Sequence, residues 1–290
     1  MKYEGMIIRP PSEARSLLVQ VTVGCSHNRC IFCPSFKDKR FRIKEYSEIE
    51  EDLIEASRYG AIEKVFLCDG DALIIPQRKL VPILEAVGKN LPRVNRIATY
   101  ANAKSILRKT PEELVELRRL GLSMVYLGVE SGNEELLSWM KKGATAEDMV
   151  QAGRRIKDAG MVLSVTVLLG IGGRERSGLH AADTAKILTR IDPDYVGALT
   201  VMIVPGTPLH ELSRQGAFLL PDTFGFLEEL GIMIGQSDLS NCFFTANHAS
   251  NYLPLRVRLP EQKEEAVRLI RSVVEDRNRK VLKPEFLRAL

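Results

Sequence analysis

The sequence predicts an α/β protein in which short parallel strands alternate with helices. Three observations predict it: six short apolar or β-branched runs, helical segments with readable ends between them, and a recurrence of roughly 30 residues from run to run. Such a recurrence marks right-handed βαβ units and a sheet buried on both faces. An open doubly wound sheet and a partial (β/α) barrel both satisfy it.

The first run, "SLLVQVTV" (16–23), leads into a cysteine-bearing loop and then a helix, with Ser47 and Glu50 as its capping box and Gly60 at its end. "IEKVFLC" (62–68) and "VNRIATY" (94–100) are the second and third strands. Thr110, Pro111 and Glu113 open a helix that Gly121 ends, and "SMVYLGV" (123–129) is the fourth strand. Thr145 with Asp148 opens another helix, which stops at Gly160 before the fifth strand, "MVLSVTVLLG" (161–170). "VGALTVMIV" (196–204) is the sixth. Both candidate architectures bind ligands beyond the carboxyl ends of their strands. Chemistry is therefore expected in "GCSHNRCIFCPSF", "CDGDAL", "ANAKS", "ESGNEE", "GIGGRE" and "PGTPLHE".

Composition sets outer limits. A chain of 290 residues, 45% hydrophobic and 27% charged, is that of an ordinary soluble globular protein. Glu4, Arg9, Glu13 and Arg15 interrupt the first 20 residues, so no secretory signal is expected, no later run is long enough to span a membrane, and the chain reads as cytoplasmic. The net charge of +4 is too small to point to a polyanionic partner by itself. Near the end, "EQKEEAVRLIRSVVEDRNRK" alternates in sign and predicts a solvated covering helix.

Of five cysteines, Cys25, Cys30 and Cys33 cluster while Cys68 and Cys242 stand alone, which is no disulfide framework. Structural zinc would require a fourth ligand, and His27 lies awkwardly close to Cys25. Inert burial suits a loop of Ser, His, Asn, Arg and Pro poorly. Three thiolates can instead hold a [4Fe-4S] cluster by three of its irons and leave the fourth open.

Three cysteines after the first strand of such a chain, the last preceded by an aromatic residue in "CIFC", resemble the radical S-adenosylmethionine (SAM) superfamily. The resemblance runs from about residue 16 to 210 and is nearest the branch of oxygen-independent coproporphyrinogen oxidases, methylthiotransferases and the Elongator catalytic subunit, as in "YLGVESGNEELLSWMKKGAT". It implies a partial (β/α)6 TIM-like barrel with a C-terminal helical and irregular extension. It also implies two cofactors, a [4Fe-4S] cluster and SAM, whose reductive cleavage yields a 5'-deoxyadenosyl radical.

Under that resemblance Cys25, Cys30 and Cys33 are the cluster ligands, although four residues rather than the usual three separate the first two. Phe32 takes the aromatic position near the adenine. "DGD" stands where the family has a Gly-Gly-Glu-like segment, so Asp69 or Asp71 is the candidate for the SAM ammonium, with Gly70 allowing close approach. Glu130 and Ser131 match a polar SAM contact. Lys142 stands where the branch often has an arginine near the SAM carboxylate, and Thr166 and Leu168 face the adenine.

The expected organisation is an N-terminal segment (1–15), the core (16–210), and an extension (211–290) covering the barrel opening. Residues 241–260 read as irregular, and their His248, Asn251 and Tyr252 either line a substrate pocket or satisfy one another. The expected reaction is hydrogen abstraction from an unidentified small organic substrate, with flavodoxin or ferredoxin as external electron donor. No nucleic-acid or membrane partner is expected, because no appended basic domain is evident. Two other classes remain open at this point: an iron-sulfur electron carrier or sensor, and a non-redox enzyme with structural zinc.

Overall fold

The computed structural model describes residues 1–289. In chain order the elements are β1 (Leu17–Gln20), β2 (Thr22–Val23), β3 (Arg42–Ile43), α1 (Tyr46–Ala56), β4 (Lys64–Cys68), α2 (Gln77–Asn90), β5 (Arg96–Ala101), α3 (Ala103–Leu107), α4 (Pro111–Arg119) and β6 (Leu122–Glu130). There follow α5 (Glu134–Trp139), α6 (Ala146–Asp158), β7 (Val162–Leu169), α7 (Gly173–Ile191), β8 (Tyr195–Thr200), α8 (Pro208–Arg214), α9 (Thr223–Gln236), β9 (Cys242–Thr245), β10 (Arg256–Leu259) and α10 (Lys263–Glu275). The expected alternation of strand and helix is present. Among the described residues no helix is long and apolar enough to cross a membrane.

The chain divides into two compact units, one of residues 1–28, 35–127 and 152–163, the other of residues 29–34, 128–151 and 164 onward. In the first unit β1, β4, β5 and β6 lie side by side, all parallel, with Gln20 opposite Cys68 and Tyr100 opposite Tyr126. One face carries Phe66, Cys68, Ala98, Met124 and Tyr126, against which Ile7, Leu18 and Tyr100 pack. Its three aromatic rings meet edge to face, with centroids 5.1 to 6.0 Å apart.

The N-terminal segment crosses this unit rather than trailing from it. Glu4 donates its backbone N–H to Gln20 Oε1, and Met6 gives its carbonyl to Lys39 Nζ. Further on, Ser12 bonds the Tyr126 hydroxyl, while fully buried Glu13 takes Tyr126 and Arg96.

In the second unit β7, β8 and β9 are parallel and β10 returns antiparallel to β9. The extension is thus part of the sheet there, and α9 packs against both α7 and α10. Residues 241–260, expected to be irregular, hold two strands. These have four residues each and draw their partners from β8 and from each other, so local periodicity was a weak guide. The sixth predicted run stops at Thr200, whose N–H turns to Ser250 Oγ.

The helix starts follow their caps. Thr110 with Glu113, and Thr145 with Asp148, exchange backbone and side-chain bonds as predicted. The first helix begins earlier than predicted: Glu45, not Ser47, is its N-cap, with Glu48 accepting the Glu45 N–H. Arg42 grips Glu48, and Lys44 pairs with Asp52 in the interior, which sets this start.

Two glycines test the packing. A Cβ on Gly132 would stand 2.2 Å from the Asp183 carbonyl oxygen, a backbone atom that cannot swing aside, whereas Gly88 in α2 has open space around it. Gly132→Ala should therefore cost about 3 kcal/mol in thermal unfolding, and Gly88→Ala should stabilise by up to about 1 kcal/mol.

Candidate active site

Cys25 is held in the first unit by the turn that follows β4. Gly24 donates its N–H to Asp69 Oδ2 at 3.0 Å, and Gly70 returns its own N–H to the Gly24 carbonyl at 3.3 Å. A Cβ on Gly70 would sit 3.0 Å from Cys25 Cβ and 2.9 Å from the Phe36 ring, so the absent side chain is what lets the two turns meet.

Asp69 is wholly buried. Its Oδ2 takes Gly24 N, Lys39 Nζ at 3.2 Å and Gln20 Nε2 at 3.3 Å, while Oδ1 is buried without any hydrogen-bond partner. Asp71 is equally buried, but its oxygens accept from Ser26, Asn102 and Ser105. Burial pushes its carboxyl up to about 6. Of the two sequence candidates, Asp69 therefore carries the unused acceptor and Asp71 does not.

In the second unit Cys30, Phe32 and Cys33 are half-buried around Ile31, which is buried. Ile31 donates its N–H to the Met140 carbonyl and accepts from Leu209 N, each at 3.1 Å, so the backbone between the two cysteines is pinned on both sides. Glu130 ends β6 with φ +66°, a left-handed conformation that costs a non-glycine residue roughly 1 kcal/mol or more. That turn aims its carboxylate at Lys142 Nζ, 2.9 Å away. A Cβ on Gly128 would strike Glu130 Oε1 at 2.4 Å, so Gly128 makes room for the pair.

Ser131 is enclosed, and its hydroxyl bonds His180 Nδ1 at 2.8 Å. His180 Nε2 meets the Leu168 carbonyl at 3.1 Å; with Nε2–H donating there, Nδ1 accepts from Ser131. Burial holds His180 down at about 4, which keeps it neutral. Close by, Glu229 takes Gly170 N and Ser177 Oγ at 2.6 Å each, and burial raises it to about 7. Thr166 and Leu168, two apart on β7, share one face of the strand, the former half-buried and the latter buried.

The polar side chains of the loop after β9 are bonded mostly to other parts of the fold. Asn251 bonds the Ala198 carbonyl and Thr200 Oγ1, and Tyr252 bonds Glu285 and Arg288. His248 Nδ1 accepts from Ser250 N, which leaves its proton on Nε2. Asn251 and Tyr252 thus both have protein partners. Sequence reasoning missed Lys39, Gln20, Ser26, Asn102, Ser105, His180 and Glu229; only the Asn-x-x-Ser cap spacing at 102–105 carried a local signal.

The family model described as "Radical SAM superfamily" matches residues 19–183, more than half of the chain and the whole stretch from β1 into α7. The chain belongs to the radical SAM superfamily. A curated relative, the tRNA uridine(34) acetyltransferase of Methanocaldococcus infernus, is 26% identical over 235 residues, covering 67% of this chain and 44% of that protein. The fold is also that of the radical S-adenosylmethionine methyltransferase TsrM from Kitasatospora setae, solved with cobalamin and a [4Fe-4S] cluster (TM-score 0.57, 21% identity, 70% of this chain and 40% of that one). Coproporphyrinogen III oxidase from Escherichia coli shares it as well (TM-score 0.56, 16% identity, 76% and 53%). This radical SAM chain spans less than half the length of the acetyltransferase.

Membership makes the chain an enzyme whose cofactors are a [4Fe-4S] cluster and SAM, and it sets aside the carrier and zinc readings. The residues present fit both groups: three thiols within nine positions for the cluster, and the unsatisfied Asp69 Oδ1 for a cationic donor. Among the described residues no three His, Cys, Asp or Glu side chains are already arranged to hold a metal ion, so the fit is one of donor type and spacing.

The buried acids of this radical SAM enzyme give its stability a definite pH slope. Between the ordinary carboxylate range and about pH 7, folded Glu229 keeps a proton that the unfolded chain has released, so its contribution falls as pH rises. His180 acts oppositely, gaining between about 4 and the ordinary imidazole value. Glu229→Gln keeps an acceptor for Gly170 and should remove the decline that persists up to pH 7. Thermal unfolding from pH 5 to 8 should show the variant gaining on the parent by up to about 3 kcal/mol at the alkaline end.

Proposed function

We propose that this radical SAM enzyme abstracts a hydrogen atom from a small organic substrate. The observation that carries the reading is Asp69 Oδ1, a fully buried acceptor without a partner at the end of β4, one residue before the glycine that packs on Cys25. When bound, the cluster and SAM supply one-electron cleavage of the sulfonium and the 5'-deoxyadenosyl radical that removes the hydrogen. Everything else falls to the chain.

Cys25, Cys30 and Cys33 supply the thiolates. Asp69 Oδ1 accepts a hydrogen bond from the SAM ammonium, and Lys39 fixes that carboxylate from its other oxygen. Glu130 and Lys142, already paired, offer one anion and one cation to the polar groups of the cofactor. Phe32, Thr166 and Leu168 supply the apolar side for the adenine. An external one-electron donor, flavodoxin or ferredoxin, completes the set.

A second reading makes the substrate an RNA. It draws on the relative named as a tRNA uridine acetyltransferase, and on a surface cavity of about 670 Å³ whose lining includes Lys39, Arg40, Phe41 and Arg42. Three of those four residues are cationic, but Lys39 and Arg42 are engaged by Asp69, Glu4 and Glu48. The small substrate is therefore preferred. Salt-dependent retention of tRNA by the apoprotein at physiological ionic strength would reverse that preference.

The test is anaerobic: reconstitute with iron and sulfide, reduce with dithionite, add SAM and assay 5'-deoxyadenosine. Its formation, with loss in the Cys25, Cys30 and Cys33 triple alanine variant, is the expected result; bound zinc in place of iron would overturn the reading. Cys30→Ala alone should abolish iron binding. Asp69→Asn should leave iron content intact and weaken SAM binding about tenfold in equilibrium dialysis, the size of one charge-assisted hydrogen bond.

A further inference from the structure

The segment Asp69-Gly70-Asp71 faces Gly24-Cys25-Ser26 residue for residue. Asp69 takes the N–H of Gly24, and Gly70 lies so close to Cys25 that a Cβ on Gly70 would stand 3.2 Å from Cys25 Cα. Asp71 Oδ2 takes the hydroxyl of Ser26 at 2.6 Å. The residue before the cysteine, the cysteine and the residue after it are each held by a different member of one tripeptide.

We propose that Asp71 is a positioning residue that fixes the loop at Cys25 through the Ser26 hydroxyl and makes no contact with SAM; the inference rests on Cys25 being a cluster ligand, as in the proposed function. Three donors converge on Asp71 Oδ2, namely Ser26 Oγ and Ser105 Oγ at 2.6 Å each and Asn102 Nδ2, while Oδ1 takes Asn102 N at 3.4 Å.

Ser26 Oγ gives its proton to Asp71 and accepts from Asn102 Nδ2 at 3.2 Å, so the hydroxyl is fixed as donor and as acceptor. Asn102 cannot swing away, because its Oδ1 caps α3 by accepting Ser105 N at 3.0 Å. The helix start that directly follows β5 is thereby coupled, through one carboxylate, to the residue beside a thiol.

The anchoring is separable by mutation. Ser26→Ala cuts the link to the loop, whereas Ser105→Ala removes a donor from the same carboxylate and leaves the loop untouched. The primary readout is the rate at which Cys25 in the apoprotein is alkylated by iodoacetamide, followed by mass spectrometry with Cys33 as internal reference. Ser26→Ala and Asp71→Asn should raise the Cys25 rate about tenfold, Ser26→Thr should restore it, and Ser105→Ala should change it less than about twofold. In reconstituted protein the first two variants should lose iron to a chelator faster by a similar factor.

Unchanged Cys25 alkylation in Ser26→Ala overturns the proposal, as does an equal increase in Ser105→Ala, which would mean general loosening. Weaker SAM binding by Asp71→Asn with unaltered Cys25 reactivity would return Asp71 to the cofactor. The alkylation arm requires no cluster. A parent protein that binds no iron would thus sink the proposed function while the positioning result stands or falls by itself.

Discussion

A carboxylate removed from water at the end of a strand is the constraint around which the first unit is organised. Taking Asp69 out of solvent costs several kcal/mol unless its charge is met at close range. Lys39 meets it, and the Gly24 N–H and Gln20 amide complete the oxygen that faces them. Holding Lys39 there has further consequences. Its ammonium also takes the Met6 carbonyl and lies 5.4 Å from the Phe36 ring centre, which draws in both the N-terminal segment and the stretch after the cysteines. An interaction 30 residues apart in sequence thus fixes three distant pieces of backbone.

Where polar groups are buried this closely, the backbone must yield space, and glycine marks those places. Gly70 admits the Cys25 backbone, and Gly128 admits the Glu130–Lys142 pair. Neither has a positive φ, so what matters at both is the missing side chain rather than torsional freedom. Glu130 shows the converse, a side-chain-bearing residue kept left-handed because the turn out of β6 aims its carboxylate at Lys142.

The core strands and two of the three predicted helix starts were legible because each rests on local pattern. Alternating apolar runs mark β4 to β7, Thr-x-x-Glu and Thr-x-x-Asp mark two helix starts, and the cysteines and the Asp-Gly-Asp stretch stand at strand ends. Local pattern misled at α1, where Ser47 and Glu50 look like a cap but the Lys44–Asp52 and Arg42–Glu48 pairs set the start. It was silent about β9 and β10, whose pairing is supplied from elsewhere. Partnerships were the least legible: Lys39 with Asp69, and Ser131 with His180, join residues 30 and 49 apart, and no spacing rule encodes such contacts.

Radical chemistry asks a protein chiefly to hold its cofactors and exclude competing reactions, because the cofactors supply the reactive species. The polar inventory matches that demand. Asp71, Asn102, Ser105, Ser131, His180 and Asn251 are each bonded internally, and Asp69 Oδ1 and Arg96 Nε are the only buried side-chain nitrogen or oxygen atoms without a partner among the described residues. A site relying on general acid-base catalysis would need a titrating group within reach of the substrate. Asp71, His180 and Glu229, whose protonation burial shifts strongly, are enclosed and committed to backbone, amide and hydroxyl partners. Their bonds tie down the turns that follow β4 and β7.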